Sequence, residues 1–181
     1  MDGSWVVRYR IGHPGQYRLS IVTGSNATLF SMFPVVAVAN PVPLFVRSFG
    51  SAGSGNGYFS NPIGICSGNG LLYVIDYGNG RVQAWTMEGV YVRSFGSEGS
   101  GNGQFSGPCG ICSGNGLLYV ADYGNGRVQV WTMEGVYVRS FGSDGRGDGQ
   151  FSEPNGICSG NGLLYVTDAG NHRVQVWTPS A

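Results

Sequence analysis

The residue types in this sequence that could do chemistry are three Asp/Arg pairs, four cysteines and two histidines. Asp76 with Arg81, Asp122 with Arg127 and Asp168 with Arg173 each stand five apart, and the pairs follow one another at 46-residue intervals. A carboxylate beside a guanidinium can orient a substrate, but a catalytic pair is needed once and these occur in every unit. Repetition of this kind points to structural pairing within or between repeated units. His13 and His172 lie in unlike parts of the chain, so neither a three-histidine zinc site nor a repeated His/Asp arrangement can form.

Cys66, Cys112 and Cys158 occupy the same place in successive units. They therefore read as small buried apolar side chains rather than as a disulfide framework. Cys109 and Cys112 make a lone CxxC, but Ile63 and Asn155 stand where the other units would need the first cysteine. Residues three apart on an extended strand point to opposite faces, so the pair is a poor chelate. Every basic side chain is arginine, which removes Schiff-base and catalytic-lysine chemistry and leaves no internal ubiquitin acceptor. The Gly-Ser-Gly-Asn-Gly run at residues 99–103 resembles a phosphate cradle only superficially, because Gln-Phe and a strand follow it instead of a helix N-terminus. No catalytic residue, metal or cofactor is expected.

Glycine accounts for 33 of the 181 residues, far above the usual share of about 7%. With 8 prolines, that predicts many tight turns between short elements, hence an all-β chain. Ten arginines balance ten acids, which gives no global electrostatic reason to bind nucleic acid or an anionic membrane. The first residues lack a basic, then apolar, secretory start, so a cytoplasmic location is expected and the Asn26-Ala27-Thr28 sequon reads as chance. Residues 29–46 are long and apolar, but Pro34, Pro41 and Pro43 would break a spanning helix. Two strands are expected there.

The elements that must position these residues repeat with the same interval, since Phe49, Phe95 and Phe141 also stand 46 apart. A period of 40 to 50 residues without helical periodicity is the size of one four-stranded propeller blade. In the middle unit a short strand covers residues 110–113, and the turn Gly114-Asn115-Gly116 leads into the apolar run at residues 117–122. After Tyr123-Gly124-Asn125-Gly126, residues 127–132 alternate polar with apolar, and the Glu134-Gly135 turn opens an outer strand at residues 136–141. Equivalent outer strands are expected at residues 44–49 and 90–95. The glycine-rich connection at residues 142–154 is expected to be flexible.

Asp168-Ala169-Gly170-Asn171-His172-Arg173-Val174-Gln175-Val176, together with Phe-Gly-Ser, Gly-x-Gly-Gln-Phe and Pro-x-Gly-Ile, resembles the NHL repeat. The resemblance covers residues 44–177 and implies a β-propeller, although Gly80 and Gly126 stand where the third unit has His172. Upstream, Asp2 to Tyr9 and Gly15 to Ile21 read as strands around His13-Pro14-Gly15, and Ser31-Met32-Phe33 precedes a terminal strand at residues 35–38. That head resembles the latter half of a filamin-type, immunoglobulin-like repeat. The expected domains are thus residues 1–43, a partial filamin-type segment, and residues 44–181, three four-stranded NHL blades of a partial propeller. The order resembles the C-terminal region of TRIM-NHL proteins, ubiquitin ligases whose propellers bind substrates or RNA. No RING or B-box cysteine pattern is present, so ligase chemistry is not expected of the chain, and lyase or lactonase activities of related propellers have no support.

Propellers bind on the face carrying hairpins between second and third strands and the long inter-blade loops. That face would present Tyr77, Arg81, Tyr123, Arg127, His172 and Arg173. Such side chains suit protein hot spots or stacked bases. Four arginines there meet seven acids, which disfavours phosphate, so a protein partner is expected, with single-stranded RNA the alternative and a hydrolase or lyase the weakest reading. Three blades leave an open arc with apolar ends. Either the chain is a fragment, as the truncated filamin-like head suggests, or two copies pair head to tail, each leading strand completing the partner's last blade.

Overall fold

The computed structural model describes residues 6–11, 17–23, 26–27 and 43–179. The chain divides into two compact units, Met1–Val46 and Arg47–Ala181. In the first unit, β1 (Val6–Ile11) and β2 (Tyr17–Thr23) form an antiparallel hairpin from Val6↔Val22 to Ile11↔Tyr17, and β3 (Asn26–Ala27) pairs with β2. The His13-Pro14-Gly15 turn, Ser31-Met32-Phe33 and the expected strand at residues 35–38 lie outside the described residues.

The second unit is all-β. A two-residue parallel pair, β4 (Ser51–Ala52) and β5 (Tyr58–Phe59), precedes the first blade. That blade is an antiparallel meander of β6 (Pro62–Gly68), β7 (Leu71–Asp76), β8 (Arg81–Thr86) and β9 (Tyr91–Phe95). The pattern repeats with the pair β10 (Ser97–Glu98) and β11 (Gln104–Phe105), then β12 (Pro108–Gly114), β13 (Leu117–Asp122), β14 (Arg127–Thr132) and β15 (Tyr137–Phe141). The third blade contains β16 (Pro154–Gly160), β17 (Leu163–Asp168) and β18 (Arg173–Trp177). It has three strands among the described residues, the fourth being expected from a leading strand rather than from the blade itself.

The blades stack through their apolar faces. Tyr73, Ile75, Val82 and Ala84 of the first blade share one buried cluster with Phe105, Ile111, Leu118, Val120 and Trp131 of the second. Cys112, Tyr119, Val128 and Val130 then meet Phe151, Leu164, Val166 and Trp177 across the next junction. A continuous apolar run suits β13 because both of its faces are covered. Each junction closes on an aromatic group. Phe95 from the preceding outer strand, Phe105 from the connecting loop and Tyr137 from the blade's own outer strand surround Trp131 at ring-centre distances of 4.8, 5.4 and 5.7 Å. Phe49, Phe59 and Tyr91 do the same around Trp85.

Three expectations are corrected. Residues 44–49 do not form a strand: residues 43–50 have no regular structure, and Leu44, Phe45 and Val46 are 84%, 84% and 82% exposed. An outer strand exists only against a third strand, and no described residue pairs them. The inner strand begins earlier than read, at Pro108, with a β-bulge between Pro108 and Ile111. Finally, the connecting loops are tied down rather than loose. The Gly99 amide donates to the Phe105 carbonyl at 2.9 Å and the Gln104 amide to Gly101 at 3.1 Å, while Arg127 Nη2 donates to the carbonyls of Gly101 and Gln104 at 2.7 and 2.9 Å.

Candidate partner-binding face

Each hairpin between second and third strands is a single 3-10 turn, such as Tyr123–Asn125, entered from Asp122 and closed by Gly126 in the left-handed region at φ 60. Gly80 and His172 take the same conformation at φ 59 and 56. A side chain at residue 126 would run into the Asp144 backbone, with Cα 2.8 Å from an ideal Cβ. The third blade has no following loop among the described residues, which leaves His172 room.

Asp122 is fully buried, and its carboxylate is the hub of the blade. Oδ1 accepts the Ser106 amide at 2.7 Å, and Oδ2 accepts Asn125 Nδ2, Arg127 Nε and Gln129 Nε2, each at 2.9 Å. These donors fasten the hairpin to the loop and the second strand to the third. Asp76 is held by Ser60, Asn79, Arg81 and Gln83, and Asp168 by Ser152, Asn171, Arg173 and Gln175. Burial by itself would raise the pKa of Asp168. Hydrogen bonds from Asn171, the Ser152 amide, Arg173 and Gln175 outweigh it and bring the value down to about 2.

The six residues expected on the binding face divide accordingly. Arg81, Arg127 and Arg173 direct their guanidinium groups inward, to the buried aspartates at 2.8, 2.9 and 2.8 Å. Their Nη2 groups donate to loop carbonyls, and Arg173 Nη1 also stands 3.8 Å from Asp148 Oδ1. Tyr77, Tyr123 and His172 are exposed at the turns. Tyr77 and Tyr123, on adjacent blades, share a cleft of about 510 Å³ with Asn61, Ile63, Cys109 and Asn155. Glu153, read in the sequence only as one of the seven acids of this face, belongs with them. It adopts a left-handed φ of 58, and a hydrogen bond to it pushes the Tyr123 phenol above its ordinary value. Its equivalents Asn61 and Gly107 are also left-handed, so the backbone shape was legible in Gly107 but the glutamate's role was not.

The cysteines need a partial correction. Cys112 is buried and Cys66 half-buried, and burial pushes both thiols up to about 12, so neither is a ready nucleophile. Cys158 is exposed instead, because no described blade covers it. Burial likewise raises Cys109 to about 11, and its sulfur lies by the carbonyls of Ala121, Pro154 and Asn155. All four are free thiols. Among the described residues no three His, Cys, Asp or Glu side chains converge on a metal-sized site, and no helix is long and apolar enough to cross a membrane.

The family model for the NHL repeat matches residues 59–85, 105–131 and 151–177, so the chain contains three NHL repeats. No curated protein matches it. Among solved structures, a catalytically inactive virginiamycin B lyase from Staphylococcus aureus with quinupristin is 14% identical, with a TM-score of 0.53 over 97% of this chain and 57% of that one. The computationally designed Ika8 protein is 17% identical, with a TM-score of 0.50 over 68% and 35%. Myxococcus xanthus glutaminyl cyclase is 20% identical, with a TM-score of 0.45 over 57% and 42%. The chain spans less than two thirds of each, and at these identities the likeness to the first two is one of fold alone.

Proposed function

We propose that this NHL-repeat chain is an interaction module rather than a catalyst, and that its hairpin face binds a protein partner through Tyr77, Tyr123 and His172, with Arg81, Arg127 and Arg173 bracing that surface from beneath. The observation that carries this reading is where the arginines spend their charge. Each is neutralised by a buried aspartate, so of the charges counted on this face there remain Glu98, Asp144, Asp148 and Glu153 against Arg146. A net acidic surface repels phosphate and suits a partner with basic residues around an aromatic-binding centre. Tyrosine is also among the residue types that dominate hot spots.

The resemblance to TRIM-NHL proteins makes a ubiquitin-ligase substrate, recognised in the cytoplasm, the class of partner proposed. The second reading is single-stranded RNA, favoured by one feature: Tyr77 and Tyr123 line one cleft at matching places of adjacent blades and offer two stacking platforms. The test is a pull-down comparing wild type with Tyr77→Ala/Tyr123→Ala, using Val90→Ala as an exposed control. Specific loss of partners from the folded double variant is expected, and unchanged recovery would sink the proposal. RNA affinity measured over a salt series separates the readings, since phosphate contacts make binding fall steeply with salt.

A further inference from the structure

The two ends of the blade stack carry faces that have counterparts inside the molecule. On the trailing face of the third blade, Val174 and Val176 are 57% and 56% exposed, whereas their equivalents Val128 and Val130 are fully buried against the third blade. Cys158 is exposed there, where Cys112 is buried. On the leading face of the first blade, Ile65 is 59% exposed, while its equivalent Ile111 is buried against the first blade. The repeated sequence therefore presents, at its two ends, the two halves of a junction that it already forms twice internally.

We propose that a second copy of this chain covers both ends, so that two three-bladed arcs close head to tail into one six-bladed ring. Six lies within the range of about four to eight blades at which propellers close. Two identical junctions related by a two-fold axis satisfy every exposed end face, which a chain of open contacts would not.

The register of the junction follows from the internal ones. Val82↔Phe95 and Trp85↔Tyr91 pair in the first blade, and Val128↔Phe141 and Trp131↔Tyr137 in the second. Shifted by one repeat, Val174 of one copy pairs with Phe49 of the other, and Trp177 pairs with Phe45. Half of this arrangement is already in place. Phe49 packs on Trp85 at 5.0 Å as Phe95 packs on Trp131, and Arg47 donates to the Met87 carbonyl as Arg93 does to Met133. Residues 47–49 thus sit where the outer strand of a preceding blade would end. What they lack is the outer edge of a β18. That edge in turn lacks a tyrosine, since among the described residues the rings around Trp177 are those of Phe141 and Phe151, where Trp131 also meets Tyr137. Phe45 supplies the missing ring.

The inner-strand serines fit the same register, and the third hairpin sets a condition on it. Ser113 Oγ donates to the Ser67 carbonyl and Ser159 Oγ to that of Ser113, both at 2.7 Å, so Ser67 would continue the series onto Ser159 of the other copy. Gly80 lies against Glu98 and Gly126 against Asp144, whereas His172 would lie against Ala52. The atoms that crowd an ideal Cβ at residues 80 and 126 belong to the loop backbone, at 3.1 and 2.8 Å, so closure requires the Ala52 loop to move away from His172.

Light scattering on the whole chain across a dilution series tests the closure. Twice the 19.1 kDa chain mass is expected, with Cys158 protected from a thiol reagent. Ile65→Glu on the leading face or Val176→Glu on the trailing face is expected to halve the mass and release Cys158 to the reagent. Both sites are exposed in the single chain, so its fold, read by circular dichroism, should persist. Val90→Glu, exposed but away from the junction, should leave the mass unchanged. A folded wild-type monomer with reactive Cys158, an open-ended series of larger species, or a dimer indifferent to both substitutions would each overturn the proposal.

Discussion

The second and third blades carry nearly the same sequence in different surroundings. Gln129 and Gln175, Val130 and Val176, and Trp131 and Trp177 stand at matching positions, yet the second blade is covered on both faces and the third on one. Val130 is fully buried and Val176 more than half exposed; Trp131 touches three aromatic rings and Trp177 two. The strands still form with matching registers in both. Local pattern and turn chemistry therefore fix the strand, and the neighbouring blade fixes what its side chains are worth. That is the energetic signature of a stacked repeat, in which each unit contributes an intrinsic term and an interface term.

The largest consequence concerns tryptophan. Trp131→Ala should destabilise by about 3 to 5 kcal/mol, the range for emptying a buried aromatic site. Trp177→Ala, with one ring fewer around it and a partly exposed side chain, should cost clearly less. Guanidinium titrations of the two variants in the Ile65→Glu background, which leaves the trailing face open, would show it as unequal shifts in midpoint. Equal shifts there would mean that the trailing face is covered within a single chain. Next comes Asp122→Ala, which strands the Arg127, Gln129, Asn125 and Ser106 donors and should cost about 1 to 3 kcal/mol in thermal melting. An unchanged melting temperature with lost partner binding would instead move this aspartate from scaffold to site. Smaller again is the valine pair. In the same background Val130→Ala should cost about 2 kcal/mol by loss of buried methyl groups, and Val176→Ala less than about 0.5. A comparable cost at both positions would again point to a covered trailing face.

Much of the fold was legible because its signals are local. The 117–122 run, the Gly126 turn and the alternation after Arg127 give strands whose observed bounds are Leu117–Asp122 and Arg127–Thr132. What was not legible depends on neighbours. Residues 44–49 have the sequence of an outer strand but no β18-like edge to pair with, so pattern alone misassigned them. Cys158 has the same surroundings in sequence as Cys112 and opposite exposure, because a cover is a property of the stack. At the candidate site, Tyr77 and Tyr123 were visible from type and spacing. That the arginines face inward was not, since an Asp five residues earlier fits an exposed or a buried pair equally well. Glu153 was visible as an acid of that face but not as the partner of Tyr123, because nothing in its neighbours announces a left-handed glutamate beside a tyrosine of the preceding blade.

The smallest effect near neutral pH marks where the comparison between blades stops applying. Asp168 is as fully buried as Asp76 and Asp122 although its blade lacks a cover. Its donors Ser152, Asn171, Arg173 and Gln175 come from the third repeat itself. The aspartate hub thus belongs to the intrinsic term of each repeat. Its pKa of about 2 lies below the ordinary 3.8, so the folded state binds the proton more weakly than the unfolded chain does. The stabilisation it contributes is complete above the unfolded value and is lost as pH falls from about 4 toward 2. Between pH 5 and 7 no change from this group is expected. Chemical denaturation followed from pH 6 to pH 2 should show wild type losing more stability below pH 4 than Asp168→Asn, which cannot ionise. Parallel acid profiles for the two proteins would show that Asp168 is not held ionised by this cage, and would remove the hub from the intrinsic stability of the repeat.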